Sequence, residues 1–183
     1  EQIATCLLTG MISQTKSFKT TNVTPHTLGL ASDLMNLGAD REKIIQHLYR
    51  TRSLGALKLW GDALTNLQSD RDIGLVWSTI TRENFARSGA SEEDLKDVIS
   101  ELISNSPEAK LILILFEAVG ADGKTIIKGL LDAEKGFDAR SLLKSFNSSG
   151  NKKTASLTLE NKSLKEAEEL VLKAIKDTAR VLN

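Results

Sequence analysis

Lys110–Val119 reads KLILILFEAV and Lys124–Leu131 reads KTIIKGLL, with Gly120-Ala121-Asp122-Gly123 between them. Two apolar runs of strand length joined by GADG predict a β-hairpin. Upstream, Ile73–Thr81 (IGLVWSTIT) is β-branched and aromatic and predicts another strand. Downstream, Thr154–Leu159 alternates as TASLTL and predicts a last one. Helical signals sit between and around these strands. Ser91 with Asp94 three residues on has the form of a capping box, heading a helix with Leu95, Val98, Ile99, Leu102 and Ile103. Asp138–Phe146 predicts a short helix. Ser163–Leu182 predicts an amphipathic one, with Leu164, Ala167, Leu170, Val171, Ala174, Ile175 and Ala179 on its apolar side. Strands interleaved with helices place residues 73–183 in a small mixed-sheet α/β domain.

The chain before that domain is helical. Ile3, Leu7, Leu8, Met11 and Ile12 form an apolar stripe, and Cys6 among them reads as a buried, inert thiol. Gln14 to Thr24 is polar and aperiodic. Thr24-Pro25 then opens a second helix, with Leu28, Ala31, Leu34 and Met35 on one face and Gly38 as its stop. Asp40 caps a third helix through Ile44, Ile45 and Leu48. A fourth runs from about Leu54 to Leu67 with Leu57, Trp60, Leu64 and Leu67 facing the core. This divides the chain into residues 1–52, a linker helix at 53–72, and the α/β domain at 73–183. No internal repeat or low-complexity stretch interrupts the pattern.

The bulk numbers exclude several function classes. Lys plus Arg and Asp plus Glu each count 24 in 183 residues, so no overall field draws the chain to nucleic acid or an anionic membrane. The longest apolar run, Leu111–Phe116, is too short to span a bilayer. One cysteine rules out an internal disulfide, and two histidines offer no imidazole cluster. With no secretory signal, these features lead to the expectation of a cytoplasmic protein. Glu1 opens a stretch that already reads as structured, so an excised fragment is expected.

The order of these pieces resembles the DHH phosphoesterase family, which includes RecJ-like exonucleases and oligoribonucleases. Residues 3–50 resemble the last conserved segment of its catalytic domain, where members carry Gly-Ile, Asp-Thr-Gly, a Phe, a Thr-Pro helix start and Gly-Ala. Here stand Gly10-Met11-Ile12, Gln14-Thr15-Lys16, Phe18, Thr24-Pro25 and Gly38-Ala39. Residues from about 73 are similar to the DHH-associated C-terminal domain, with its hairpin, short helix, glycine-rich loop, last strand and helix. The resemblance implies the helical end of a DHH domain plus that associated domain. It also implies manganese-dependent cleavage of nucleotide or short single-stranded oligonucleotide phosphoesters. Two metal ions would be held by Asp and His residues of an N-terminal DHH part, which is an expected partner of this chain.

Departures from the family pattern qualify that expectation. Two-metal hydrolysis needs hard anionic ligands, and the Asp-His-His motif is absent. His26 and His47 each stand alone on a predicted helix, as surface residues. Gln14 occupies the position of a metal-binding Asp, and Lys16 replaces the following Gly, setting a cation near a cation site. No catalytic residue is therefore assigned, and no manganese is expected on this chain alone. The family's Gly-Gly-Gly-His loop corresponds to Ser148-Ser149-Gly150-Asn151-Lys152-Lys153, where one glycine survives beside hydroxyls, an amide and two cations. The family's Ser-Arg pair would fall near Gly129–Asp132, where no arginine stands.

Plainer readings stand beside these. Residues 147–153 read first as a solvated turn and second as a phosphate-binding loop. Trp60 and Trp77 read as core. Three functions stay open: the C-terminal part of a DHH-type phosphoesterase, inactive by itself; a nucleotide-binding or regulatory module derived from that family; and an interaction domain without a nucleotide role. Self-association is left open as well.

Overall fold

The structure, a computed structural model, describes residues 1–49, 53–95, 98, 109–134 and 136–182. The chain forms two compact units, Glu1–Arg52 and Ser53–Asn183.

The first unit holds helices α1 (Gln2–Gln14), α2 (Pro25–Asn36) and α3 (Arg41–Tyr49). Thr24 caps α2 as its Thr-Pro start predicts. Its Oγ1 accepts from Thr27 N at 3.2 Å, and Thr27 Oγ1 accepts from Thr24 N at 3.2 Å. Gly38, at φ +93°, ends the helix, and Ala39 N reaches back to Leu34 O. The core gathers Ala4, Leu8 and Ile12 of α1 against Ala31, Ala39 and Ile44.

Two expectations for α1 are corrected. Ile3 and Leu7 are 77% and 56% exposed, and Cys6 is exposed rather than buried. The physical reason is that α1 carries no charged residue, so positions 3/7/11 and 4/8/12 both qualify as apolar stripes. Packing against α2 and α3 selects the second. On α2, likewise, Ala31 is buried while Leu28 and Met35 are exposed.

The second unit runs α4 (Leu54–Thr65), β1 (Gln68–Asp70), β2 (Leu75–Ile80), α5 (Arg82–Ser88), β3 (Leu111–Val119), β4 (Thr125–Ala133), α6 (Ala139–Leu142), β5 (Asn147–Gly150), β6 (Thr154–Leu159) and α7 (Leu164–Leu182). Its six strands form one sheet in the order β1-β2-β3-β4-β6-β5. Only β2 and β3 pair in parallel. The KLILILFEAV–KTIIKGLL hairpin stands at its centre, with Val119 opposite Thr125 and Gly123 at φ +78° in the turn. The helix expected over Leu95–Ile103 lies largely outside the described residues.

One face of the sheet is closed completely. Leu75, Leu111, Leu113, Leu115, Ile127, Leu131, Ala155 and Leu157 point to it and meet Ala167, Val171, Ile175 and Ala179 of α7. That spacing of four puts one stripe of α7 on the sheet, and burying Val171 and Ile175 contributes about 1.5–3 kcal/mol each. Gly129 also faces this layer. A Cβ there would lie 2.9 Å from both Leu115 Cδ2 and Leu157 Cγ, so glycine lets the two leucines close over the strand. Trp77, buried as expected, donates from Nε1 to Glu168 Oε1 at 2.7 Å. That bond ties β2 to α7.

The opposite face is covered by α4 and α5 over β2 and β3, where Leu59, Trp60 and Ala63 meet Val76, Ile80, Ile112 and Ile114. The buried Ser78 hydroxyl donates to Ala63 O at 2.6 Å. Residues 53–72, expected as a linker, thus pack within the second unit. Helix α4 turns Ala56, Leu59, Trp60 and Ala63 inward, while Leu57, Leu64 and Leu67 are exposed. As in α1, the sequence offers two stripes and the sheet takes one. Among the described residues, no helix is long and apolar enough to cross a membrane.

Candidate functional site

Strand alternation splits the half of the sheet beyond β3. On β4, β6 and β5 most residues facing away from α7 are polar, Ile126 and Leu130 of β4 being the apolar exceptions. Lys128 and Asp132 come from β4, Thr154, Ser156 and Thr158 from β6, and Ser149 from β5. Register aligns them in rows. Phe116, Lys128, Thr158 and Asn147 lie side by side across four strands, and Ile114, Leu130, Ser156 and Ser149 form the next row. Where α4 and α5 end, the row changes from apolar to hydroxyl and ammonium groups.

A cleft of about 370 Å³ lies over this boundary, floored by Phe116, Leu130 and Gly129 and edged by Lys128, Ser156, Thr158, Glu92 and Glu93. Lys128 Nζ contacts Glu92 Oε2 at 2.8 Å. Beside them the hydroxyls of Ser149 and Ser156 are 3.0 Å apart. A second hollow of about 310 Å³ adjoins it through Glu92. It lies where β3 ends, at Glu117–Val119, and is lined by Arg82 and Phe85 of α5. There Arg82 N donates to Glu117 Oε2 at 2.9 Å, and the rings of Phe85 and Phe116 meet edge to face at 6.1 Å. The cleft offers a cation, two hydroxyls and an aromatic floor beside the two carboxylates of Glu92 and Glu93.

The residues singled out from sequence lie elsewhere in part. Asn147–Gly150 is strand β5, not loop, and Asn151–Lys153 is the tight turn into β6. Asn151 Oδ1 accepts from Lys153 N at 2.8 Å and Thr154 N at 3.0 Å. Asn151 N donates to Thr154 O at 2.8 Å. Amides that a glycine loop would turn to a phosphate are here bonded within the turn. The carbonyls of Lys153 and Lys152 accept from Ala133 N and Ala139 N, tying the turn to β4 and α6. Gly150 has φ +135°, and a Cβ there would lie 2.3 Å from Thr154 O, so glycine is kept by hairpin geometry. Ser149 reaches the open face, Ser148 pairs with Leu157, and the Lys152 and Lys153 side chains are exposed. Lys128 and Ser156 were not singled out, although a lysine inside the apolar run KTIIKGLL is a signal that could have found the first.

In the first unit, Gln14 is the exposed last residue of α1. The chain then reverses through three left-handed residues, Lys16 (φ 45°), Ser17 (φ 59°) and Phe18 (φ 66°). Ser17 N reaches back to Ile12 O at 2.8 Å, and the buried Thr15 hydroxyl donates to Met11 O and accepts from Phe18 N. Position 16 is one that glycine would occupy without strain, which matches the Gly that the resemblance puts there. A manganese site does not fit the residues present. Gln14 supplies a neutral amide, Lys16 a nearby ammonium, and among the described residues no three of His, Cys, Asp and Glu come together to hold a metal. His26 is exposed on α2, and His47 Nδ1 sits 2.7 Å from Lys43 O on its own helix.

Carboxyl groups moved from their ordinary pKa are structural. The Arg87 guanidinium, 2.6 Å away, holds Asp62 low, and Asp62 raises Arg87 in turn. Asp122 is lowered by the Lys124 N–H, and Glu166 by the Ser163 N–H. None of these groups lines the cleft.

No family model matches the sequence, and no curated protein matches it. Among solved structures, an exopolyphosphatase-related protein from Bacteroides fragilis superposes with a TM-score of 0.80 at 20% identity, over 98% of this chain and 51% of its own. A pGpG-specific phosphodiesterase from Vibrio cholerae superposes with a TM-score of 0.48 at 12% identity, over 92% of this chain and 54% of its own. The chain spans about half the length of the structures it matches. At 20% identity the first likeness shows the fold, an α/β fold shared with the exopolyphosphatase-related protein.

Proposed function

We propose that this chain is the C-terminal part of a DHH-type phosphoesterase-like protein, and that its α/β unit holds the phosphate of a nucleotide or short single-stranded oligonucleotide. The observation that carries this reading is the half-face of the sheet where Lys128, Ser156 and Thr158 border one cleft over Phe116. An ammonium and hydroxyls give a phosphate charge and donors together. The fold shared with an exopolyphosphatase-related protein supports a phosphate-bearing ligand.

Hydrolysis would depend on a separate metal-bearing DHH part, because the chemistry at Gln14 and Lys16 does not suit manganese. The exposed Ile3 and Leu7 on the uncharged helix α1 support a protein partner there. The hydrogen bonds that close the Asn151–Lys153 turn on itself favour a second reading, a non-catalytic binding module derived from the same family.

Titration of the chain at low salt with a nucleoside 5′-monophosphate and a short single-stranded oligonucleotide tests the first proposal. Saturable, salt-sensitive binding is expected, lost in Lys128→Ala and retained when Lys152 and Lys153 are both changed to alanine. Loss only in the double variant would move the site to the hairpin. No binding would leave an interaction domain. Manganese-dependent turnover by the chain alone would overturn its assignment as inactive by itself.

A further inference from the structure

The cation of the cleft is already engaged. Lys128 Nζ lies 2.8 Å from Glu92 Oε2, with the two side chains 36% and 44% exposed, so the pair is open to solvent and to exchange. Glu93 borders the same cleft, so two carboxylates face one ammonium. Such a site does not collect anions indiscriminately. A ligand must displace Glu92 from Lys128 and gain more than the carboxylate gave.

We propose that Glu92 is a specificity-determining residue that makes the cleft select terminal phosphomonoesters over internal phosphodiesters. The inference rests on the reading of this cleft as a phosphate site. A phosphodiester carries one negative charge, so its exchange for Glu92 swaps one monoanion for another with no electrostatic gain. A terminal phosphate carries about −1.5 to −2 near neutral pH and three acceptor oxygens. It therefore pairs more strongly with Lys128 and has oxygens left for the Ser156 and Thr158 hydroxyls on the neighbouring strand. The ligand class this defines is a nucleotide or oligonucleotide end bearing a free phosphate.

The test titrates the whole chain at low salt with inorganic phosphate, a nucleoside 5′-monophosphate and dimethyl phosphate, following the Lys128 and Ser156 resonances. Inorganic phosphate and the monophosphate, each of charge about −1.5 to −2, are expected to bind roughly two- to fivefold more tightly than dimethyl phosphate, the scale of one exposed ion pair. Glu92→Gln keeps the side-chain shape and frees Lys128, so it should tighten dimethyl phosphate and narrow that ratio. Glu160→Gln removes an exposed carboxylate outside the cleft and should leave the ratio unchanged. Equal binding of phosphate and diester by the unaltered chain overturns the inference and leaves the phosphate reading standing. Equal narrowing by Glu160→Gln does the same, since general charge rather than displacement would be responsible. If neither the unaltered chain nor Glu92→Gln binds any of the three, the phosphate reading of the cleft falls and the inference with it.

Discussion

The two faces of the second unit's sheet differ along a single strand. On β6, Ala155 and Leu157 turn to α7 and are buried, while Thr154, Ser156 and Thr158 turn the other way and are not. On β4, Gly129 and Leu131 face α7, and Lys128 and Leu130 face the cleft. One face is a finished core. Among the described residues the other is apolar where α4, α5, Leu95 and Val98 cover it, and beyond that it carries hydroxyls and an ammonium that are costly to bury. The difference teaches that the open half is built to stay wet, which suits a ligand better than a packing element.

The sharpest way to break this comparison is to damage the finished face. Ile175→Ala removes a fully buried side chain between α7 and the sheet and is expected to cost about 2–5 kcal/mol by urea denaturation. A loss below about 1 kcal/mol would show that α7 is not seated as described. Gly150→Ala comes next, because the positive φ and the contact with Thr154 O both oppose a side chain. A destabilisation of about 1–3 kcal/mol is expected, together with faster amide exchange confined to β5 and β6.

On the open face the same kind of change should do little to stability. Ser156→Val places a β-branched residue on a strand position that faces the cleft, with an expected effect within about ±0.5 kcal/mol. Ligand titrations should weaken at the same time. A large gain in stability would mean that this face is covered in the folded protein. The smallest effect is a pH dependence. Asp62 has its pKa lowered in the folded chain, mainly by the hydrogen bond from Arg87. Its contribution is therefore present above the unfolded carboxyl pKa and disappears as pH falls through the lower folded one. Asp62→Asn should lower the melting temperature slightly at neutral pH, and by less as pH falls below about 4, where the unaltered chain loses the same contribution. An unchanged profile would show that the pair contributes nothing.

Much of the fold was legible because its signals are local. The β3–β4 hairpin and the Thr24-Pro25 helix start each state one answer and the structure agrees, while on α7 Ala167, Val171, Ile175 and Ala179 are buried as expected and Leu170, placed on the same apolar side, is exposed. The inward faces of α1 and α4 were not legible. Both helices are apolar on more than one side, so spacing alone cannot choose between Ile3/Leu7 and Ala4/Leu8, or between Leu57/Leu64 and Leu59/Ala63. The candidate site was less legible still. A glycine-poor stretch at 148–153 reads as a loop, whereas its two serines and Gly150 belong to an edge strand, and the amides of Lys153 and Thr154 after it are bonded to Asn151.

By itself the sequence determined the α/β class, the strand hairpin and the amphipathic closing helix. Those features depend on residue order over a turn or two, where propensity and periodicity act. Only the tertiary structure decided that Lys128, Glu92, Ser156 and Thr158 meet. Strand register sets Lys128 beside Ser156 and Thr158, and Glu92 reaches Lys128 from the turn after α5, 36 positions away. No local pattern encodes that distance, because it is set by which strands pair and which half of a face the helices leave bare.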